Sequence, residues 1–150
     1  MKVYLGKSYG SVADKSMSTW IQLIKTFKKI LAKESAYIKS HDLTMNQFEV
    51  LEVLYHRGDL SVGAITKLTL GTPGNVTVVI KNLIRDGLIT SIPDAKDKRT
   101  YIITITKKGI DIMDKLFPNH AKNFEDYFKV LDKDETETLF TLLRKLHKSQ

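Results

Sequence analysis

Residues 72–109 constrain the fold more than any other stretch, because a helix signal and a hairpin signal stand back to back with no linker between them. Thr72 reads as the N-cap and Pro73 as the first helical residue, where its missing N–H costs nothing. Val76, Val79, Ile80 and Leu83 share one stripe and are expected to face a core, with Ile84 on the flank. The opposite side presents Gly74, Val78, Lys81 and Arg85, flanked by Asn75, Thr77 and Asn82. Gly87 ends the helix, and a hairpin follows from Leu88 to Thr106. In it Tyr101, Ile103 and Ile105 alternate with Ile102, Thr104 and Thr106, the period of a strand. Its tip carries Lys96, Lys98 and Arg99. A polar-faced helix beside a basic hairpin suits the two grooves of a DNA duplex, one element in each.

The flanking sequence is helical. Trp20, Ile24, Phe27, Leu31 and Ile38 recur at helical steps and mark one face of a long helix from about Val12 to Lys39. Thr44-x-x-Gln47 is a capping box that opens a second helix, whose Phe48, Leu51 and Leu54 or Tyr55 point inward and which Gly58 ends. Ser61 caps a short third helix over Val62 to Leu68. A fifth helix is expected from near Thr106 to about Val130, kinked at Pro118, where an i−4 hydrogen bond is lost. Asp132-x-x-Glu135 opens the last, striped by Leu139, Leu142, Leu143 and Leu146. The expected fold is mainly α with a small β-hairpin, a winged helix-turn-helix between terminal helices. Three units are expected: an N-terminal helix over 1–40, a winged unit over 41–106 and C-terminal helices over 107–150.

Charge is placed unevenly. The chain carries a net +7, of which residues 1–40 hold +6 and residues 61–109 hold +5, while the remaining segments are acidic. This points to a polyanionic partner for the reading unit, although the basic N-terminal helix reads equally well as a solvated face. No cysteine is present, which excludes disulfides, thiolate metal sites and thiol redox switches. No apolar run is long enough for a membrane span. Met1 to Gly6 lacks the apolar core of a secretion signal, so a cytoplasmic location is expected.

Signals for catalysis and cofactors fail. Gly6-Lys7-Ser8 echoes the end of a phosphate-binding loop without its upstream glycine. His41, His56, His120 and His147 lack metal-pairing spacing, and the carboxylates follow capping and surface patterns. No catalytic residue, metal ligand or cofactor is therefore assigned.

Three ordered blocks carry a family resemblance: Leu43-Thr44-x-x-Gln47-Phe48-x-x-Leu51, then Gly74-Asn75-Val76-Thr77 through Gly87-Leu88-Ile89, then Asp97-x-Arg99-x-x-x-Ile103-x-Ile105-Thr106-x-x-Gly109. On these the chain resembles the MarR family, the multiple antibiotic resistance regulators, over roughly residues 15–148. Tyr55-His56-Arg57-Gly58 and Phe117-Pro118-x-His120 further resemble a branch responsive to quinones and catechols.

The resemblance implies a homodimer built from the terminal helices, with two recognition helices spaced about one DNA turn, roughly 34–36 Å, on a pseudo-palindromic operator. It implies a regulator, most often a repressor. On that reading Asn75 bonds base edges and Thr77 a base or phosphate. Val78 either meets a thymine methyl or is a lone exposed apolar residue. Lys81, Arg85, Lys96 and Lys98 meet phosphates, and Ser61 and Thr66 add backbone contacts. Arg99 enters the minor groove with Asp97 pairing its guanidinium. The family also implies a pocket for a small aromatic or phenolic effector, for which Trp20, Phe27, Tyr55, Met113, Phe117 and His120 are candidates, unless they are core or, for His120, solvent-facing. The alternative is a winged-helix protein-interaction module that does not bind DNA.

Overall fold

The computed structural model describes residues 7–150; the segment Met1 to Gly6, and with it the N-terminal stretch read above and the glycine of the loop echo, lies outside the described residues. The element order is α1 (Ser11–Lys39), α2 (Met45–Arg57), β1 (Leu60–Ser61), α3 (Val62–Leu68), α4 (Pro73–Arg85), β2 (Ile89–Pro93), β3 (Tyr101–Ile105), α5 (Lys107–Phe128) and α6 (Lys133–Lys148). No helix among the described residues is long and apolar enough to cross a membrane.

Side-chain caps set most helix starts. Thr44 accepts from the Gln47 N–H while the Gln47 side chain accepts from the Thr44 N–H, and Asp132 and Glu135 repeat the exchange at α6. Ser61, Thr72 and Thr106 each accept from the N–H three residues on. The end of α4 is a Schellman motif: the Leu88 N–H bonds Leu83 O and the Gly87 N–H bonds Ile84 O. Gly87 adopts φ 74° there, a conformation that favours glycine.

The sheet has three antiparallel strands in the order β1-β3-β2, so the hairpin gains a strand that the sequence did not announce. Leu60 pairs with Ile103 and Ser61 with Ile102, which ties the start of α3 to the root of the wing. The core lies beneath: Phe48, Leu51 and Leu54 of α2, Ile65 of α3, Val76, Val79, Ile80 and Leu83 of α4, Ile103 of β3, and Met113 and Leu116 of α5. The expected inward stripe of α4 is buried as read.

Helix α5 continues through Pro118 to Phe128 as one helix, two residues short of the expected end. The apolar stripe of α1 is buried only at its C-terminal end, at Glu34 and Ile38, leaving Trp20, Phe27 and Leu31 exposed. Helix α6 buries no residue at all. Both stripes are left largely uncovered among the described residues.

Candidate nucleic-acid interface

On α4, Gly74, Asn75, Thr77, Val78, Lys81 and Arg85 are all exposed, and Val78 keeps 56% of its surface open despite being apolar. Thr72 positions this face by capping, and the buried stripe behind it fixes the helix's rotation. The Thr77 hydroxyl donates to Pro73 O at 3.0 Å and the Thr66 hydroxyl to Val62 O at 2.9 Å. Both protons are thus engaged internally, leaving acceptor lone pairs that suit a base N–H and not a phosphate. Ser61 accepts from Ala64 N–H and retains its own proton to donate. The Arg85 Nε–H bonds Asp86 Oδ1 at 3.0 Å across an exposed pair, so its remaining donors stay open to solvent.

Between β2 and β3 the wing tip is built by two aspartates. Asp94 Oδ1 accepts from the Lys96 N–H at 2.6 Å and the Asp97 N–H at 3.1 Å. Asp97 Oδ1 accepts from the Arg99 backbone N–H at 3.0 Å, and its Oδ2 from the Thr100 hydroxyl at 3.4 Å. The expected pairing of Asp97 with the Arg99 guanidinium is therefore corrected: the carboxylate is spent on the turn's backbone, the usual use of an aspartate in a tight turn. It fixes where Arg99 leaves the chain, and the guanidinium is left free. Asp94 carries as much of this turn and was not singled out from sequence; its place directly after Pro93 was the available signal. Lys96, Lys98 and Arg99 are exposed, and with Lys81 they meet no carboxylate partner among the described residues. A groove of about 420 Å³ joins Arg99 to Ser61 and Gly63, a consequence of the β1–β3 pairing.

The six pocket candidates separate. Met113 is fully buried core, Trp20 is 60% exposed on α1, and Tyr55 donates from its hydroxyl to Asp114 Oδ1 at 2.6 Å. None of these three lines either of the two cavities flanking α2. Phe117 lines the one of about 310 Å³, beside His56 and Arg57. Phe27 and His120 line the other, of about 360 Å³, with Phe48, Phe124 and Glu34.

Glu34 is the residue that sequence reading missed. It is 2% exposed, and its carboxylate accepts from Tyr127 Oη (2.6 Å) and Asn123 Nδ2 (3.0 Å) and lies 2.7 Å from His120 Nδ1. His120 is thus nearly buried, packed among Phe48, Phe117 and Phe124 rather than facing solvent. Burial, then donation to Glu34, pushes the Tyr127 phenol up to about 12. Tyr37 is also raised, chiefly by burial, and its hydroxyl donates to Leu116 O at 2.8 Å.

Comparison with known proteins fits this architecture. The sequence profile of the MarR family matches residues 43–101. The chain is 30% identical to the HTH-type transcriptional regulator MhqR of Bacillus subtilis (strain 168), with 90% of this chain and 93% of that protein aligned. It is 34% identical to the uncharacterized HTH-type transcriptional regulator YkoM of the same organism, over 88% of this chain and 86% of that one. Among solved structures, Bordetella bronchiseptica BpsR, described for regulation of its DNA binding by 6-hydroxynicotinic acid, superposes with a TM-score of 0.78 at 25% identity, covering 87% of this chain and 98% of its own. With the winged fold, the uncovered polar face of α4 and the unpaired cations of the wing, these likenesses show that the chain belongs to the MarR family of DNA-binding transcriptional regulators.

Proposed function

We propose that the protein is a homodimeric repressor that grips a pseudo-palindromic operator and releases it when a small aromatic or phenolic effector occupies a cavity beside α2. Residues 41–106 form the reading unit, and residues 1–40 and 107–150 form the dimer. The observation that carries this reading is the set of cations at Lys81, Lys96, Lys98 and Arg99, exposed and without intramolecular counter-charges on the two elements that suit a duplex. A solvated salt-bridge surface would have neutralised them.

Asn75 and Val78 read base edges, Arg99 enters the minor groove, and Lys81, Arg85, Lys96 and Lys98 set register on phosphates. Asp97 shapes the wing that delivers Arg99. The unburied stripes of α1 and α6 support the dimer, since two such faces exposed in one molecule exceed what a monomer ordinarily leaves bare. The ligand of BpsR and the resemblance of Tyr55 to Gly58 to a quinone-responsive branch support effector control. An effector coupling of about 1–3 kcal/mol suffices to regulate.

Selection of bound duplex from a random pool, with and without a panel of phenols and quinones, tests the whole reading. A two-fold-symmetric motif whose enrichment falls with an effector is expected. No enrichment at low ionic strength would reject it in favour of a protein-interaction module.

A further inference from the structure

The cavity of about 360 Å³ has an unusual charge for its apolar walls. Phenylalanines 27, 48, 124 and 128 line it together with three carboxylates, Glu34, Glu49 and Glu52, and no lysine or arginine lines it among the described residues. Glu34 is occupied by His120, Asn123 and Tyr127. Glu49 and Glu52 are not. Glu49 accepts a long hydrogen bond, 3.4 Å, from the Leu70 N–H, and Glu52 has no cationic partner among the described residues. Three residues apart on α2, they are neighbours on one helix face and repel. Burial first, and Glu52 second, raise Glu49 above the usual carboxylate range, against the Leu70 N–H, which lowers it.

A cation in this cavity removes that repulsion and lies among four phenylalanine rings, whose faces attract positive charge. An anion adds a further like charge. The position of Leu70 gives occupancy a route outward: it lies in the turn between α3 and α4, two residues before Thr72, the cap of the recognition helix. A ligand that engages the Glu49 carboxylate competes with the Leu70 N–H for it.

We propose that this cavity takes a hydrophobic organic cation, a planar aromatic ammonium or pyridinium-type molecule, with Glu49 and Glu52 as counter-charges, and that Glu49 relays its occupancy to the start of α4. This rests on the effector-tuned reading above and narrows the effector to one charge class.

Calorimetric titration with three bicyclic probes of similar shape tests it: N-methylquinolinium (cationic), 2-naphthol (neutral) and 2-naphthoate (anionic). The cation is expected to bind tightest and the naphthoate weakest. Its affinity is expected to fall roughly tenfold in Glu49→Gln and in Glu52→Gln, with 2-naphthol moving less than about twofold. Glutamine keeps an oxygen for the Leu70 N–H, so charge is separated from that bond. Amide hydrogen exchange across residues 69–76 should change with the cation in the wild-type protein and not in Glu49→Gln. Binding of naphthoate or naphthol as tight as the cation's, undiminished cation binding in both variants, or unaltered exchange in the turn would each overturn the proposal. None of these readouts uses DNA. Glu49-dependent cation binding by a protein that holds no duplex would sink only the regulatory reading, and operator release by neutral phenols alone would sink only this one.

Discussion

Glu34 shows how one side chain can be hidden inside a pattern. It falls three residues after Leu31 and four before Ile38, on the part of the apolar stripe that α1 buries at its C-terminal end, where a charged residue needs a partner. That spacing was legible; its partners, roughly ninety positions away on α5, were not, because sequence order carries no distance between helices. Replacing Glu34 with glutamine keeps an acceptor for two of the three donors and is expected to cost about 1–3 kcal/mol in denaturant unfolding. It also removes the charge that helps hold Tyr127 at about 12, so that phenol should titrate part of the way back towards 10.0. Ultraviolet difference titration against Tyr127→Phe isolates it from the other tyrosines; an unmoved titration would leave burial as the whole cause. The sign follows from the raised value: the stability it contributes is intact below pH 10.0 and is lost as pH climbs towards about 12. Arg99 is the other decisive residue. Because Asp97 holds its backbone and not its guanidinium, Arg99→Ala should leave the wing folded while weakening operator binding about 5- to 100-fold, mainly at A·T pairs near the half-site edge. Fluorescence anisotropy on matched duplexes reads this, and equal binding by the variant would remove Arg99 from the interface.

Elements with a chemical start signal could be read from the chain to within a residue or two. Thr44, Ser61, Thr72 and Asp132 cap helices as their spacing suggests, and Thr106, read only as the neighbourhood of a helix start, caps one too, because a cap is a local bond between neighbours in sequence. Strand β1 escaped because two residues hold no periodicity; it exists through its partner, β3. Helix α5 runs through Pro118 as expected, since the packing of its other residues carries the helix past one missing bond. The wing is joined to α5 at a close approach that only the structure reveals. Thr106 bonds back to Gly87 O and Leu88 O, which brings the first turn of α5 against the exit of α4. A Cβ at Gly109 would overlap the Leu88 carbonyl oxygen and lie 2.7 Å from Ile105 Cγ1, and the backbone contact in particular cannot be relieved cheaply. Gly109→Ala should therefore destabilise by about 1–3 kcal/mol, although alanine is the better helix former. The measurement is the urea midpoint at constant m; a variant as stable as the parent would mean that this junction yields.

At the scale of the whole molecule, the chain is unevenly buried. The winged unit encloses a closed core, whereas α6 presents Leu139, Phe140, Leu142, Leu143 and Leu146 to solvent and buries nothing. Periodicity marks an apolar face without saying whether its cover comes from the same chain, so periodicity alone could not place α6 and only the family resemblance assigned it to a dimer. Physics narrows the choice: a 16-residue helix is marginal in water unless its apolar face is packed, and among the described residues that face is left largely open. A second copy supplying the same face is the self-complementary solution. Substituting glutamate for both Phe140 and Leu143 puts two charges into that seam and leaves the core residues of the winged unit untouched. Sedimentation equilibrium should then report a monomer for the variant and, on the proposed arrangement, a dimer for the parent. Halving the number of reading units halves the phosphates neutralised, so the slope of log affinity against log salt should fall to about half, with near-native helix content in the winged unit. A double variant that stays dimeric would assign the seam to α1 alone, and one that turns monomeric with an unchanged salt slope would refute the paired-reader arrangement itself.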